Sequence, residues 1–128
     1  MITPQRYRDP DYAAAIAATV YGGQMRDEPG LARVLLNGHS RFASRRAYAL
    51  QLAAGLGWTS LPFLPLIRQP TLVVAGEDDP IIPMANARIM ARLLAHADLH
   101  VYLDGHLGLI TLADELAPRI ARFLRQPE

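Results

Sequence analysis

Two residues with complementary chemistry each stand directly after a short apolar run that is typical of a β-strand. Asp79 lies in PTLVVAGEDDPIIP, and His106 lies in LHVYLDGHLGLIT. A carboxylate that accepts a hydrogen bond from one imidazole nitrogen fixes the tautomer and stabilises the imidazolium, so the other nitrogen can act as a general base on a nucleophile. The two residues therefore predict the acid and the base of nucleophilic catalysis.

Each of these residues also has an ordinary structural interpretation. Asp78 and Asp79 follow a predicted strand, where aspartate is common in turns, and His106 follows a glycine in a loop. Asp104 is an alternative partner for His106, but it stands only two residues away and is better placed to cap its own loop. The catalytic interpretation is favoured because the acid and the base occupy equivalent positions after two successive strands.

The segment after residue 70 alternates between strand and helix patterns. The predicted elements are strand 71–75, helix 85–95, strand 99–103 and helix 113–124, the last with Thr111 as a candidate N-cap. A strand, helix and strand of this length form a crossover between parallel strands, and the carboxyl ends of such strands meet at one edge. Asp79 and His106 are therefore expected at the same edge of a parallel sheet.

The segment before residue 65 has a helical pattern instead. The predicted helices run from the Asp9-Pro10 start signal to about 21, over 31–37 with a stop at Gly38, and over 43–54. The Pro-rich stretch GWTSLPFLPLI then predicts irregular backbone or one helical turn. Trp58 in this stretch has two interpretations, a core aromatic that anchors the helical segment or a wall of an apolar substrate pocket.

Composition and charge limit the classes of function. The chain has 128 residues, of which 51% are hydrophobic and 20% charged, so it can form one ordinary domain with a core. The net charge of +1 gives no field that points to nucleic acid. The chain contains no Cys, and no His or carboxylate pair has metal-ligand spacing, so no metal or cofactor is expected. No signal peptide and no transmembrane run is recognised, and a cytoplasmic location is expected.

The sequence resembles the C-terminal half of α/β-hydrolases. PTLVVAGEDDPIIP is similar to the family's acid loop, in which a Gly is followed three residues later by the acid, and this spacing identifies Asp79 rather than Asp78. DGHLGLIT resembles the loop that carries the catalytic His. Nearly the whole chain, most specifically GLGWTSLP running into RQPTLVVAG, closely resembles intracellular medium-chain-length poly(3-hydroxyalkanoate) depolymerases.

This resemblance implies a fold, an activity and a division of the chain. The fold class is α/β, with residues 1–65 as a helical cap segment and residues 66–128 as the C-terminal part of the hydrolase core. The activity is that of a serine ester hydrolase that cleaves a stored polyester or a related acyl ester, with Asp79 and His106 in its triad. A storage-granule surface is a further expected partner.

The nucleophile of such a triad is not recognisable in this sequence. Ser40, Ser44 and Ser60 are its serines, and none lies in the G-x-S-x-G elbow that presents the nucleophile in this family. The chain is therefore expected to be a C-terminal fragment that is inactive alone and works with an N-terminal hydrolase part, from the same gene or another chain.

Two other functions remain open on the sequence. A different α/β-hydrolase, acting on small esters or ring-cleavage products, would use the same acid and base loops. A non-catalytic truncated protein, either a gene remnant or one that binds a partner through an unpaired apolar sheet edge, is the third interpretation.

Overall fold

The structure is a computed structural model, and it describes residues 9–36 and 44–125. The elements in chain order are α1 (Pro10–Tyr21), α2 (Gln24–Asp27), α3 (Pro29–Leu36), α4 (Arg45–Gly55), a 3₁₀ helix (Leu61–Leu66), β1 (Thr71–Gly76), α5 (Met84–Leu93), β2 (Ala97–Tyr102), α6 (Gly108–Thr111) and α7 (Ala113–Leu124).

Two helices of the first half, α1 and α4, begin at polar caps. The Asp9 side chain accepts a hydrogen bond of 3.0 Å from the Tyr12 N–H at the start of α1, and Ser44 does the same for α4. The α1 helix ends at Tyr21, as predicted. The predicted stop at Gly38 lies outside the described residues. The short helices α2 and α6 were not predicted, because a single helical turn carries too little periodicity to be recognised.

The two strands form a parallel sheet. In the described part of the chain this sheet has two strands, paired from Thr71 opposite Ala97 to Gly76 opposite Tyr102. The predicted parallel crossover is confirmed, since α5 connects the strands and contacts both. β2 begins two residues earlier than predicted, because its pairing with β1 extends through the polar residue at position 98, which interrupts the apolar pattern.

Two groups of buried apolar side chains hold these elements together. The first joins the 3₁₀ helix, β1 and α5, and consists of Leu64, Val73, Ala87 and Leu94, the last of which caps the end of α5. The second joins α1, α2 and α3, and consists of Ala17, Met25 and Ala32. Leu64 lies before the predicted boundary at residue 65, whereas the other three residues of this cluster lie after that boundary. The division of the chain into residues 1–65 and 66–128 stays a prediction.

The last helix begins where the sequence predicts, at Ala113, and Pro118 lies inside it. The prediction of Thr111 as its N-cap is wrong. Leu112 occupies the cap position without a side-chain hydrogen bond, because the Thr111 hydroxyl instead bonds Asp104 and the Leu107 carbonyl. No helix within residues 9–36 and 44–125 combines the length and the apolar character that crossing a membrane requires.

Candidate active site

Asp79 and His106 meet at the carboxyl ends of the two strands. Asp79 Oδ2 lies 2.8 Å from His106 Nδ1, although 27 residues separate them in the chain. Asp79 Oδ1 accepts hydrogen bonds from the N–H groups of Ile81 and Ile82, at 2.8 and 2.9 Å. The Asp79 side chain is 8% exposed, while that of His106 is 34% exposed. The carboxylate is therefore held rigidly behind an imidazole that solvent or a substrate can reach.

The contact determines which nitrogen of His106 can act as a base. A carboxylate has no proton to donate, so the hydrogen bond to Asp79 requires the proton on Nδ1. Nε2 then carries the lone pair. This is the arrangement in which an imidazole accepts a proton from a nucleophile while the carboxylate stabilises the resulting imidazolium.

Tyr102, the last residue of β2, bonds the loop that carries His106. Its buried hydroxyl donates a hydrogen bond of 3.2 Å to the Gly105 carbonyl. Burial, followed by the negative charges of Asp79 and Asp104, raises the pKa of this hydroxyl above its usual value of 10.0. Tyr102 therefore keeps its proton and remains a donor to the loop.

Asp104 does not contact His106 through any hydrogen bond of the described residues. It is 3% exposed, and its Oδ1 accepts hydrogen bonds of 2.7 Å from the N–H groups of Gly105 and Gln24, while Oδ2 accepts one from the Thr111 hydroxyl. The prediction that Asp104 caps its own loop is confirmed. Its bond to Gln24, 80 residues away in the sequence, was not predicted.

Asp78, interpreted from sequence as a possible turn residue, also reaches the helical segment. Its Oδ2 accepts a hydrogen bond of 2.7 Å from the Gly23 N–H, and Arg26 lies 2.8 Å from the same oxygen. The Gly23 bond, together with the weaker effect of Arg26, lowers the pKa of Asp78 against the opposing effect of burial. This contact was not predicted. Its sequence signal was the Gly22-Gly23 pair directly after α1, but a glycine pair in that position is also typical of a simple helix end.

Trp58 is 72% exposed, so its interpretation as a core aromatic is wrong. It forms one wall of an open pocket of about 300 Å³ between the segment before the 3₁₀ helix and α5. The lining residues are Trp58, Thr59, Ser60, Leu61, Asn86, Ile89 and Met90. Neither Asp79 nor His106 is among them, so the structure does not bring Trp58 together with the acid and the base. Its role in substrate binding stays a prediction.

Within the described residues, no serine side chain is hydrogen-bonded to Asp79 or His106. Ser44 Oγ accepts the Ala47 N–H at the start of α4, and Ser60 lies in the pocket beside Trp58. Ser40 lies outside the described residues. Among the residues that the structure describes, no group of three or more His, Asp or Glu side chains is arranged to hold a metal ion.

The sequence matches a protein family and two curated relatives. The pattern of the alpha/beta hydrolase fold family matches residues 42–111. A poly(3-hydroxyalkanoate) depolymerase from Ectopseudomonas oleovorans is 48% identical over 126 residues, which is 98% of this chain and 44% of the depolymerase. The serine hydrolase BPHL of Mus musculus is 35% identical over 63 residues, which is 48% of this chain and 22% of BPHL. The chain thus spans less than half the length of these curated relatives.

The fold is similar to that of solved structures. The enol-lactonase from Burkholderia xenovorans LB400 superposes with a TM-score of 0.74 at 21% sequence identity, over 98% of this chain and 50% of the enol-lactonase. At this identity the likeness concerns the fold alone. It places the helices, the parallel strands and the loops described above within one known architecture.

Proposed function

The chain belongs to the α/β-hydrolase fold family, as its acid and histidine loops predicted, and from this premise we propose that it is the cap and C-terminal part of a serine-type carboxylic-ester hydrolase. The observation that supports this proposal is the hydrogen bond of 2.8 Å between Asp79 and His106 at the carboxyl ends of β1 and β2. In this proposal Asp79 orients the imidazole and His106 is the general base.

The reaction needs a nucleophile that we place outside these 128 residues. A serine hydroxyl supplied by the remainder of the hydrolase fold gives its proton to His106 Nε2 as its oxygen attacks the ester carbonyl. His106 then returns the proton to the departing alcohol. Water, activated by the same nitrogen, hydrolyses the acyl-serine and releases the acid. The chain alone is inactive in this proposal, and no metal or cofactor takes part.

The substrate class in this proposal is a poly(3-hydroxyalkanoate). It is supported by the 48% identity to the Ectopseudomonas oleovorans depolymerase, which extends across the helical segment as well as the two loops. Because a polyester of this kind is insoluble, the enzyme in this proposal acts at the surface of a storage granule in the cytoplasm.

A chimera tests the proposal. Residues 1–128 replace the matched segment of the Ectopseudomonas oleovorans depolymerase, and release of 3-hydroxy acids from medium-chain poly(3-hydroxyalkanoate) is measured. We expect turnover, and we expect His106→Ala or Asp79→Asn to reduce kcat by roughly 10⁴-fold, as loss of a triad member does. The matched controls are His96→Ala and Asp98→Asn, which change exposed residues on and before β2 and should leave turnover unchanged.

The outcomes separate the parts of the proposal. Full activity in the His106→Ala chimera would exclude the proposed base. A chimera that hydrolyses short nitrophenyl esters but releases nothing from the polymer would retain the ester hydrolase and exclude the polyester as substrate. A folded chimera without either activity would contradict the proposed function as a whole.

A further inference from the structure

The backbone turn at Tyr21, Gly22 and Gly23, which we call the cap turn, lies against both loops of the candidate active site. The Tyr21 carbonyl accepts a hydrogen bond of 2.7 Å from the His106 N–H. On its other side the Gly23 N–H donates to Asp78 Oδ2, also at 2.7 Å. The cap turn thus bonds the backbone of His106 and the side chain of Asp78, the residue directly before Asp79.

A third bond fixes the end of the cap turn. The N–H of Gln24, the first residue of α2, donates to Asp104 Oδ1 at 2.7 Å. Asp104 is buried and belongs to the same loop as His106. Backbone groups of Tyr21, Gly23 and Gln24 therefore bind the two loops. Two of these three bonds end on a carboxylate, and hydrogen bonds to a charged acceptor are the stronger ones.

The approach is so close that it requires glycine on both sides. A Cβ on Gly23 would lie 1.8 Å from Asp104 Oδ1, and one on Gly22 would lie 2.1 Å from the Asp78 carbonyl oxygen. Both residues also have positive φ, of 49° and 66°, which disfavours any other residue. On the opposite side, a Cβ on Gly105 would lie 2.0 Å from the Tyr21 carbonyl oxygen.

The Tyr21 side chain restricts the imidazole itself. Its ring stacks on that of His106, with 6.3 Å between centroids and 21° between planes. Tyr21 also packs against the buried cluster of Ala17, Met25 and Ala32. The orientation of the imidazole is thereby tied to the packing of the helical segment as well as to Asp79.

We propose that the cap turn is the positioning element of the acid–base pair. It resides in the helical segment, yet it sets the distance between the acid loop and the base loop and limits rotation of the His106 ring. This inference rests on the proposed function, in which a contact between Asp79 and His106 must be held to within a fraction of an ångström to be useful. Tyr21, Gly22 and Gly23 act through His106 and Asp79 and do not touch the substrate in this proposal.

The test uses the 128-residue chain and needs no turnover. The proton on His106 Nδ1 gives a separate NMR resonance when it is held in the bond to Asp79, and the imidazole ¹⁵N shifts report the tautomer. We expect Gly23→Ala to remove this resonance and to mix the tautomers. Gly57→Ala is the matched control, because Gly57 also has positive φ, of 76°, but a Cβ there would meet no atom within 4 Å. It should leave the resonance unchanged.

A second pair of variants applies if Gly23→Ala does not fold. Tyr21→Leu removes the stacked ring and keeps the carbonyl bond, so we expect exchange of the Nδ1 proton with water to become at least several-fold faster. Tyr12→Leu changes a half-buried tyrosine elsewhere on α1 and is its control. A wild-type resonance and exchange rate in folded Tyr21→Leu or Gly23→Ala would overturn the proposal. Because the readout is spectroscopic, a chimera without esterase activity would contradict the proposed function and leave this result standing.

Discussion

Removal of the Asp104 carboxylate should destabilise the chain far more than removal of any exposed aspartate. Asp104 is 3% exposed, and two backbone N–H groups, of Gln24 and Gly105, donate to it at 2.7 Å each. A hydrogen bond to a charged acceptor contributes about 1.5–3 kcal/mol, and a buried donor left without a partner costs a similar amount. Asp104→Ala should therefore lower the free energy of unfolding by roughly 3–6 kcal/mol.

Thr111 adds little to this estimate, because its hydroxyl already has a second acceptor in the Leu107 carbonyl at 3.2 Å. Asp104→Asn should lose about half as much as Asp104→Ala, since an amide oxygen can still accept both backbone bonds without the charge. A loss of this size is a large part of the roughly 5–15 kcal/mol by which a whole domain is stable.

Urea denaturation followed by far-ultraviolet circular dichroism measures the difference. The control is Asp98→Ala, whose carboxylate is 54% exposed and lies 3.3 Å from Arg119, so its loss should change stability by about 0–1 kcal/mol. Equal midpoints for Asp104→Ala and Asp98→Ala would refute the conclusion that Asp104 ties the helical segment to the histidine loop. A greater loss for Asp104→Asn than for Asp104→Ala would refute the role assigned to Oδ1.

Two further predictions concern the core and the acid range. Leu116→Ala should lower the free energy of unfolding by about 2–5 kcal/mol because its side chain is 1% exposed, whereas Leu124→Ala, 73% exposed, should change it by at most about 0.5 kcal/mol in the same urea titration. The lowered pKa of Asp78 means that its bond to Gly23 is complete above the usual value of 3.8 and is lost as the pH falls through the lower folded-state pKa. The NMR resonance of the Gly23 amide should therefore titrate with a midpoint below pH 3.8. A midpoint above pH 3.8 would contradict the conclusion that the Gly23 N–H stabilises the charged Asp78 carboxylate.

Much of the second half could be predicted because its signals are local. The apolar β-branched run at Thr71–Gly76 and the periodic pattern of Ala113–Leu124 each specify an element within a few residues of chain. Predicted ends that were wrong, such as the start of β2, lie where pairing with a neighbouring strand extends an element beyond its apolar residues. Thr111 was assigned to the wrong partner because the buried Asp104 carboxylate, in the loop that leads into α6, takes its hydroxyl.

The candidate site likewise contains one contact that the sequence predicted and one that it did not. Strand polarity alone places Asp79 and His106 at one edge of the sheet, because both follow the carboxyl ends of parallel strands. The spacing within the acid loop distinguishes Asp79 from Asp78, but no local signal gives the partner of Asp78. Asp79 bonds His106, as predicted, whereas Asp78 bonds Gly23, which is 55 residues away, and only the path of the folded chain brings those two residues together.

The sequence by itself predicted the parallel pairing of the two strands, the meeting of Asp79 with His106, and the family, since these depend on local patterns and on strand polarity. The tertiary structure alone decided that Trp58 is exposed, that Asp78 bonds Gly23 of the cap turn, and that Asp104 bonds Gln24 directly after it. The physical reason is that the Gln24–Asp104 bond joins groups 80 residues apart. Its formation depends on the summed packing of every element between them, which no local propensity encodes.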